Sequence, residues 1–179
     1  MSLMRIGKGP VTDGGVVELL LECHARIRHF CALARTVADA KDAPAADVGD
    51  AALRVHRYFE EALPLHAADE EESILPRLRG RDPEVDRELD TMRAEHREHE
   101  AADGALARVV ELSGALAHDP GRLPHVSGKL REAAEALTRH FDAHLEREER
   151  VIFPALRRLV DPELDGRLVA EIRARRGVK

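Results

Sequence analysis

Histidine and glutamate recur with one spacing at two places in the chain. The first copy reads His66-x-x-x-Glu70-Glu71-x-x-Ile74-Leu75-Pro76, and the second, 78 residues later, reads His144-x-x-x-Glu148-Glu149-x-x-Ile152-Phe153-Pro154. On an α-helix, a His and a Glu four residues apart project from the same face, one turn apart. Each copy therefore offers an imidazole and a carboxylate to one point in space, and two such helices facing each other would enclose a metal site.

Each copy also follows a further histidine, His24 in the first half of the chain and His96 in the second. On four predicted helices the apolar inward stripe is interrupted by these groups: His24, then His66 with Glu70, then His96, then His144 with Glu148. Burying an unpaired carboxylate or imidazole is costly, so six such groups would outweigh the net stability of a domain unless something binds them. A pair of metal ions would do so, because imidazole and carboxylate together suit Fe, Mn or Zn and a carboxylate can bridge two ions.

Four long helices are predicted to position these groups, over residues 16–41, 51–79, 82–117 and 124–159, and a short final helix starts at Asp161-Pro162. Residues 42–50 are interpreted as a linker. Pro64 is expected to kink the second helix, since proline removes an i to i−4 hydrogen bond. Short or moderate connections favour an all-α fold, an up-down-up-down antiparallel four-helix bundle with a short C-terminal helix.

The composition of the 179 residues favours one domain preceded by a short extension. We expect a leader and N-terminal extension over 1–15, of which 1–3 are an expression remnant, a bundle over 16–160, and a capping helix over 161–179. The net charge of −6 gives no electrostatic reason to expect nucleic acid or an anionic membrane as a partner. Because no long apolar run is present, we expect a soluble, cytoplasmic protein.

The six residues and their spacing resemble the hemerythrin-like, HHE cation-binding family. The resemblance implies a four-helix bundle around a non-haem di-iron centre with a bridging oxo or hydroxo group, Mn or Zn being the alternative metals. Carried over by position, it implies that His24 and His66 bind one ion and that His96 and His144 bind the other. Glu70 and Glu148 would then be the bridging carboxylates.

The third helix departs from the pattern of the oxygen-carrying hemerythrins. Those proteins have a second histidine four residues after the first, where this chain has Glu100. Either Glu100 or His99 serves as a ligand there, or the site is more open. His140, one turn before His144, is a further candidate ligand. The acids Glu71, Glu72, Glu146 and Glu149 are interpreted as a solvated face, although one of them could orient a ligating imidazole.

The leading functional hypothesis is a metal-binding protein that binds or senses O2, NO, another oxidant, or iron and redox state. The alternative is a di-iron or di-manganese enzyme of the peroxidase or oxidase type, so enzymatic activity stays open. A ferritin-like oxidase would carry Glu-x-x-His on two helices, and this sequence contains no such motif. A purely structural zinc site is disfavoured, since none of the six candidate ligands is a thiolate.

Overall fold

The chain is helical throughout the part that the structure describes. The computed structural model describes residues 14–99, 101 and 104–177, and no strand occurs among them, which confirms the predicted all-α class. The helical segments of this part are α1 (Val16–Asp39), α2 (45–78), α3 (Pro83–His99), α4 (Ala105–His118), α5 (123–159) and α6 (Pro162–Arg175).

The helices pack side by side around a shared core. Helix α1 lies against α5 and α2, while α4 lies against α2 and α5. The stripe that periodicity assigned to the inner face of α1 is buried, including Leu20 at 1% exposure and Ile27 at 0%. A 3.6-residue period of apolar side chains therefore sets which face of this helix enters the core.

The core consists of two apolar clusters. One contains Leu20, Ile74, Leu89 and Ile152 together with Leu168 of α6. The other is built from a second set of buried residues, among them Ile27, Val55, Phe59, Leu130, Leu137 and Phe141. Along α1, His24 lies between Leu20 and Ile27, at the level where one cluster gives way to the other.

Three helix boundaries differ from those predicted. Helix α1 ends at Asp39 rather than Lys41. Helix α2 begins at Ala45 rather than Ala51, because Ala45 and Ala46 in the later part of the expected linker form helix readily. The helix expected over 82–117 is two helices, since α3 ends at His99 and α4 begins at Ala105 after an extended Gly104. Most of the predicted leader lies outside the described residues.

Three prolines in α2 and α5 follow wide, π-helical turns. These turns are Tyr58–Ala62 before Pro64, Asp69–Ile74 before Pro76, and Glu148–Ile152 before Pro154. In each case the residue before the proline donates its backbone N–H to the carbonyl five residues back. The proline ring would collide with the carbonyl four residues back, and a turn with one extra residue avoids that contact.

The predicted start of the final helix is confirmed. The Asp161 side chain accepts a hydrogen bond from the backbone N–H of Leu164 at 2.8 Å, and Pro162 occupies the first turn. Leu168 and Ile172 of α6 are buried in the same cluster as Leu20 of α1. In the described part of the chain, none of the helices combines the length and the apolar character needed to span a bilayer.

Candidate metal centre

The six predicted ligand residues lie together between the two apolar clusters. None is more than 6% exposed: His24 0%, His66 4%, Glu70 2%, His96 6%, His144 2% and Glu148 1%. They come from α1, α2, α3 and α5, so all the helices that surround this level of the core contribute. The sequence therefore located the polar layer correctly, because the same spacing recurs in both halves of the chain.

The six side chains form two groups that share both carboxylates. His24, His66, Glu70 and Glu148 offer ligand atoms within 4.8 Å of one another, and so do Glu70, His96, His144 and Glu148. Glu70 directs Oε1 to within 3.3 Å of His66 Nε2 and Oε2 to within 3.2 Å of His96 Nε2. Glu148 does the same in the opposite sense, with Oε1 at 3.2 Å from His144 Nε2 and Oε2 at 3.3 Å from His24 Nε2. Each carboxylate thus presents one oxygen to each group.

Several of these inward atoms satisfy no hydrogen bond among the described residues. They include Nε2 of His24 and of His66, Oε2 of Glu70, and both carboxylate oxygens of Glu148. Buried polar atoms are nearly always paired, because an unpaired one loses its hydration without compensation. A bound cation would satisfy these converging lone pairs. The combination of nitrogen and oxygen ligands fits Fe, Mn or Zn.

The two carboxylates repel each other across the site. Burial and the nearby charge of Glu70 raise the pKa of Glu148 above its ordinary value. Burial alone would raise the pKa of Glu70 as well, but contacts with His66, His24 and His96 outweigh it and hold the pKa well below the usual range. In the metal-free site, Glu70 is therefore held in its ionised form more strongly than Glu148.

The histidines differ in their readiness to take up a proton. Burial opposes protonation of His24 and His96, yet the nearby carboxylates of Glu148 and Glu70 raise the pKa of His24 to about 10, and contact with Glu70 raises that of His96 to about 9. Burial lowers the pKa of His66 to about 4. At neutral pH, protons on His24 and His96 thus balance charge that a metal ion would otherwise balance.

Three outer carboxylates hold the imidazoles of the site. Glu149 accepts from Nδ1 of His24 at 2.8 Å, Glu71 from Nδ1 of His96 at 2.9 Å, and Glu95 from Nδ1 of His144 at 2.7 Å. A proton on Nδ1 leaves the Nε2 lone pair free to face a metal.

The sequence interpretation of these outer acids was partly wrong. Glu71 and Glu149 are only about a third exposed, at 35% and 31%, so the solvated face does not describe them. The alternative, that an acid of this set orients an imidazole, holds for both. Their repetition in both copies of the motif was the signal that could have assigned them. Glu95 was missed because it is one acid among many on α3 and has no counterpart in the other half.

The wide turns carry the two shared carboxylates. Glu70 and Glu148 each provide the carbonyl that accepts the i to i−5 hydrogen bond of their turn, from Leu75 and Phe153 respectively. The prolines that follow therefore act on the direction in which these carboxylates project. After Pro76, the side chain of Arg77 donates to the carbonyl of Glu72 at 3.0 Å, a group that the proline leaves without a helical partner.

The additional candidate ligands lie outside the two groups or outside the described residues. His99 packs against His140 with ring centroids 4.3 Å apart and against His144 at 5.3 Å, but neither His99 nor His140 belongs to a group that could hold a metal. The Nε2 atoms of both are buried without a hydrogen-bond partner in the described part of the chain. Glu100 is not among the described residues.

Comparison with known protein families agrees with this geometry. The family model described as "Hemerythrin HHE cation binding domain" matches the chain twice, over residues 15–113 and 97–174. The chain belongs to this hemerythrin HHE family. Its two matches each take in one copy of the repeated motif, in line with the duplication read from the sequence. A comparison of this chain's sequence with curated proteins found no match.

Proposed function

We propose that this hemerythrin HHE protein holds two non-haem iron ions and binds or senses O2, NO, another small oxidant, or iron and redox state. The observation that carries the proposal is the sharing of Glu70 and Glu148 by both ligand groups. Two carboxylates with one oxygen in each group fit a pair of ions bridged on two sides, whereas a single ion would leave half of the ligands unsatisfied. The proposal includes an antiparallel up-down-up-down order of the long helices.

The side chains of this site would have distinct roles. His24 and His66 would hold one ion and His96 and His144 the other, while Glu71, Glu95 and Glu149 fix the tautomers of three of these imidazoles. Iron bound in this way supplies reversible redox chemistry and a coordination position for a small ligand. The apolar clusters on both sides exclude bulk water, which strengthens every electrostatic interaction inside the layer.

Metal analysis of iron-loaded protein tests the proposal. We expect about two ions per chain, in line with a carboxylate-bridged pair, and a visible spectrum that changes on exposure to O2, NO or hydrogen peroxide. Glu70→Gln and Glu148→Gln should each reduce the metal content. Glu146→Gln is the matched control, because Glu146 lies two residues from Glu148 but is exposed. A content of one ion or none in the parent protein, or an equal loss in the control, would contradict the dinuclear site.

A peroxidase or oxidase activity is the second candidate function. It is favoured by His99 and His140, whose unpartnered Nε2 atoms add two neutral hydrogen-bonding imidazoles near His144, since burial lowers the pKa of His99 to about 3 and lowers that of His140 as well. Consumption of peroxide in the presence of an electron donor, lost in His99→Gln while the iron content stays the same, would establish it. Ligand binding without turnover would leave the binding or sensing role.

A further inference from the structure

We propose that the two metal positions are unequal and that Glu95 makes the one formed by His96 and His144 the tighter of the two. The inference rests on the proposed function, since it concerns the two ions of that centre. Glu95 is assigned as a positioning residue, which acts on the metal through the imidazole of His144.

The inner contacts of the site repeat from one half of the chain to the other. The spacing between Nε2 and the carboxylate four residues on is 3.3 Å for His66 with Glu70 and 3.2 Å for His144 with Glu148. The rings of His24 and His66 lie 5.3 Å apart, and those of His96 and His144 lie 5.2 Å apart. The inner ligands alone therefore give no reason for the two positions to differ.

The outer contacts repeat as well, with one exception. The Nδ1 atoms of His24 and His96 meet Glu149 and Glu71 at 2.8 and 2.9 Å. Nδ1 of His144 meets Glu95 at 2.7 Å, whereas Nδ1 of His66 is buried and has no hydrogen-bond partner among the described residues. Among the described residues, an outer carboxylate therefore meets the imidazoles of His24, His96 and His144 but not that of His66.

A substitution between the halves accounts for the exception. Glu95 directly precedes His96, and the residue that directly precedes His24 is Cys23. The thiol of Cys23 accepts from the guanidinium groups of Arg26 at 3.3 Å and Arg176 at 3.7 Å. In the first half of the chain, the Cys23 thiol therefore occupies the position that Glu95, the partner of His144, occupies in the second half.

The charged residues three positions after His66 and His144 also differ in sign between the two halves. Three residues after His144, Arg147 pairs with Glu95. Three residues after His66, the chain has Asp69, which pairs with Arg175 at the end of α6 and with Arg176 directly after it. In the second half the arginine thus holds the outer carboxylate in place against His144. In the first half Arg175 and Arg176 pair with Asp69, and no carboxylate of the described residues reaches Nδ1 of His66.

The difference acts on metal affinity through the tautomer of the ligand. To bind a metal through Nε2, a neutral imidazole must carry its proton on Nδ1. In His144 that proton is donated to Glu95, which also makes the ring a stronger donor, whereas in His66 it is buried unpaired. Outer partners of this kind change metal affinity about 10–100-fold. The position of His24 and His66 should consequently fill second and empty first.

Zinc removal measures the inequality directly. Protein loaded with Zn2+ is dialysed against increasing concentrations of a chelator, and the zinc that remains is counted per chain. We expect two steps of one ion each, separated by about 10–100-fold in free zinc concentration. Zinc is chosen because it has no redox chemistry, so the result does not depend on any activity of the iron-loaded protein.

Variants assign the steps to the two positions. Glu95→Ala should move the tight step toward the weak one, and Glu95→Gln, which keeps an acceptor for Nδ1, should recover part of the separation. His66→Ala should retain one tightly held ion, whereas His144→Ala should retain only a weakly held one. Glu98→Ala is the control, because Glu98 is an exposed acid on the same helix.

The outcomes separate this inference from the proposed function. A parent protein that never binds two ions would overturn both. Two ions released in a single step would overturn the inequality alone, as would an undiminished separation in both Glu95 variants. Retention of a tightly held ion by His144→Ala would show that the assignment of the positions is reversed, which also overturns the proposal.

Discussion

Arg176, directly after the last helix, forms an ion pair with Asp69, the residue directly before Glu70. Asp69 is fully buried, and Arg175 pairs with its other carboxylate oxygen. Because Asp69 begins the wide turn that carries Glu70, the two arginines attach the end of the described chain to the metal layer.

Removal of both arginines should destabilise the protein strongly. The variant Arg175→Gln/Arg176→Gln leaves Asp69 buried without a cation, and breaking a buried pair in this way costs about 3–5 kcal/mol. Denaturant unfolding measures the loss. Adding Asp69→Asn to the double variant should restore much of it, since the unpaired charge is then gone. As a control, Arg167→Gln removes only an exposed pair within α6, between Arg167 and Glu163, and should cost under about 0.5 kcal/mol. Equal losses of unfolding free energy in the double variant and the control would contradict a stabilising role for the ion pairs of Asp69.

Replacement of Pro154 should have opposite effects on stability and on metal binding. In Pro154→Ala the restored N–H lets the wide turn at Glu148 relax to a regular helix, which gains up to about 3 kcal/mol in the metal-free protein and turns the Glu148 carboxylate away from the site. We expect a higher Tm without metal and weaker zinc binding. Pro64→Ala alters the wide turn at Tyr58–Ala62, which carries none of the six ligands, and should leave zinc affinity unchanged. Unchanged affinity in Pro154→Ala as well would show that the turn does not aim Glu148.

Metal uptake at neutral pH should release protons. The pKa values of about 10 for His24 and about 9 for His96 mean that both imidazoles are protonated in the metal-free protein at pH 7. Zinc binds only their deprotonated forms, so its affinity should fall as pH falls. Calorimetric titration in buffers of different ionisation enthalpy counts the protons, and release of about two per chain is the expected result. Uptake with no net proton release would exclude protonated His24 and His96.

The same pKa values set the sign of a stability change in the metal-free protein. A histidine whose folded pKa lies above its unfolded value near 6.5 contributes stability that is fully present below pH 6.5 and is lost as pH rises through the folded pKa. For His96, with a pKa of about 9, the loss falls between about pH 6.5 and 9. Unfolding free energies over this range should decline more steeply in the parent protein than in His96→Gln. Parallel curves would be evidence against the raised pKa.

Gly114 in α4 should not tolerate a side chain. A Cβ there would lie 2.9 Å from Nδ1 of His56, which is held by a hydrogen bond to the carbonyl of Val110. Alanine normally stabilises a helix by up to about 1 kcal/mol over glycine, but overpacking of about 1–3 kcal/mol should outweigh this gain. Gly128→Ala in α5 is the matched control, because a Cβ there meets nothing within 4 Å, and it should raise the Tm. A higher Tm in Gly114→Ala would show that His56 moves aside at little cost.

The sequence predicted the polar layer but not the contacts that support it. His66, Glu70, His144 and Glu148 were recognisable because their spacing recurs and because buried polar groups in four apolar stripes need a common explanation. Glu95 could not be recognised in this way, since its partner depends on how α3 faces α5 and its counterpart in the repeat is Cys23. The end of α3 at His99 was also missed, because an apolar period continues on the far side of Gly104.

The position of the ligand layer between two apolar clusters also determines how an ion can reach it. Along the bundle axis, both directions are closed by packed side chains such as Leu20 and Ile152 on one side and Ile27 and Phe141 on the other. The way to the layer is therefore from the side, between neighbouring helices, where the partly exposed carboxylates of Glu71, Glu95 and Glu149 lie. We expect exchange of an ion to require local opening of the helices on that side. The rate of metal exchange then reports how often neighbouring helices part, so a bound ion can persist long after its free concentration has fallen.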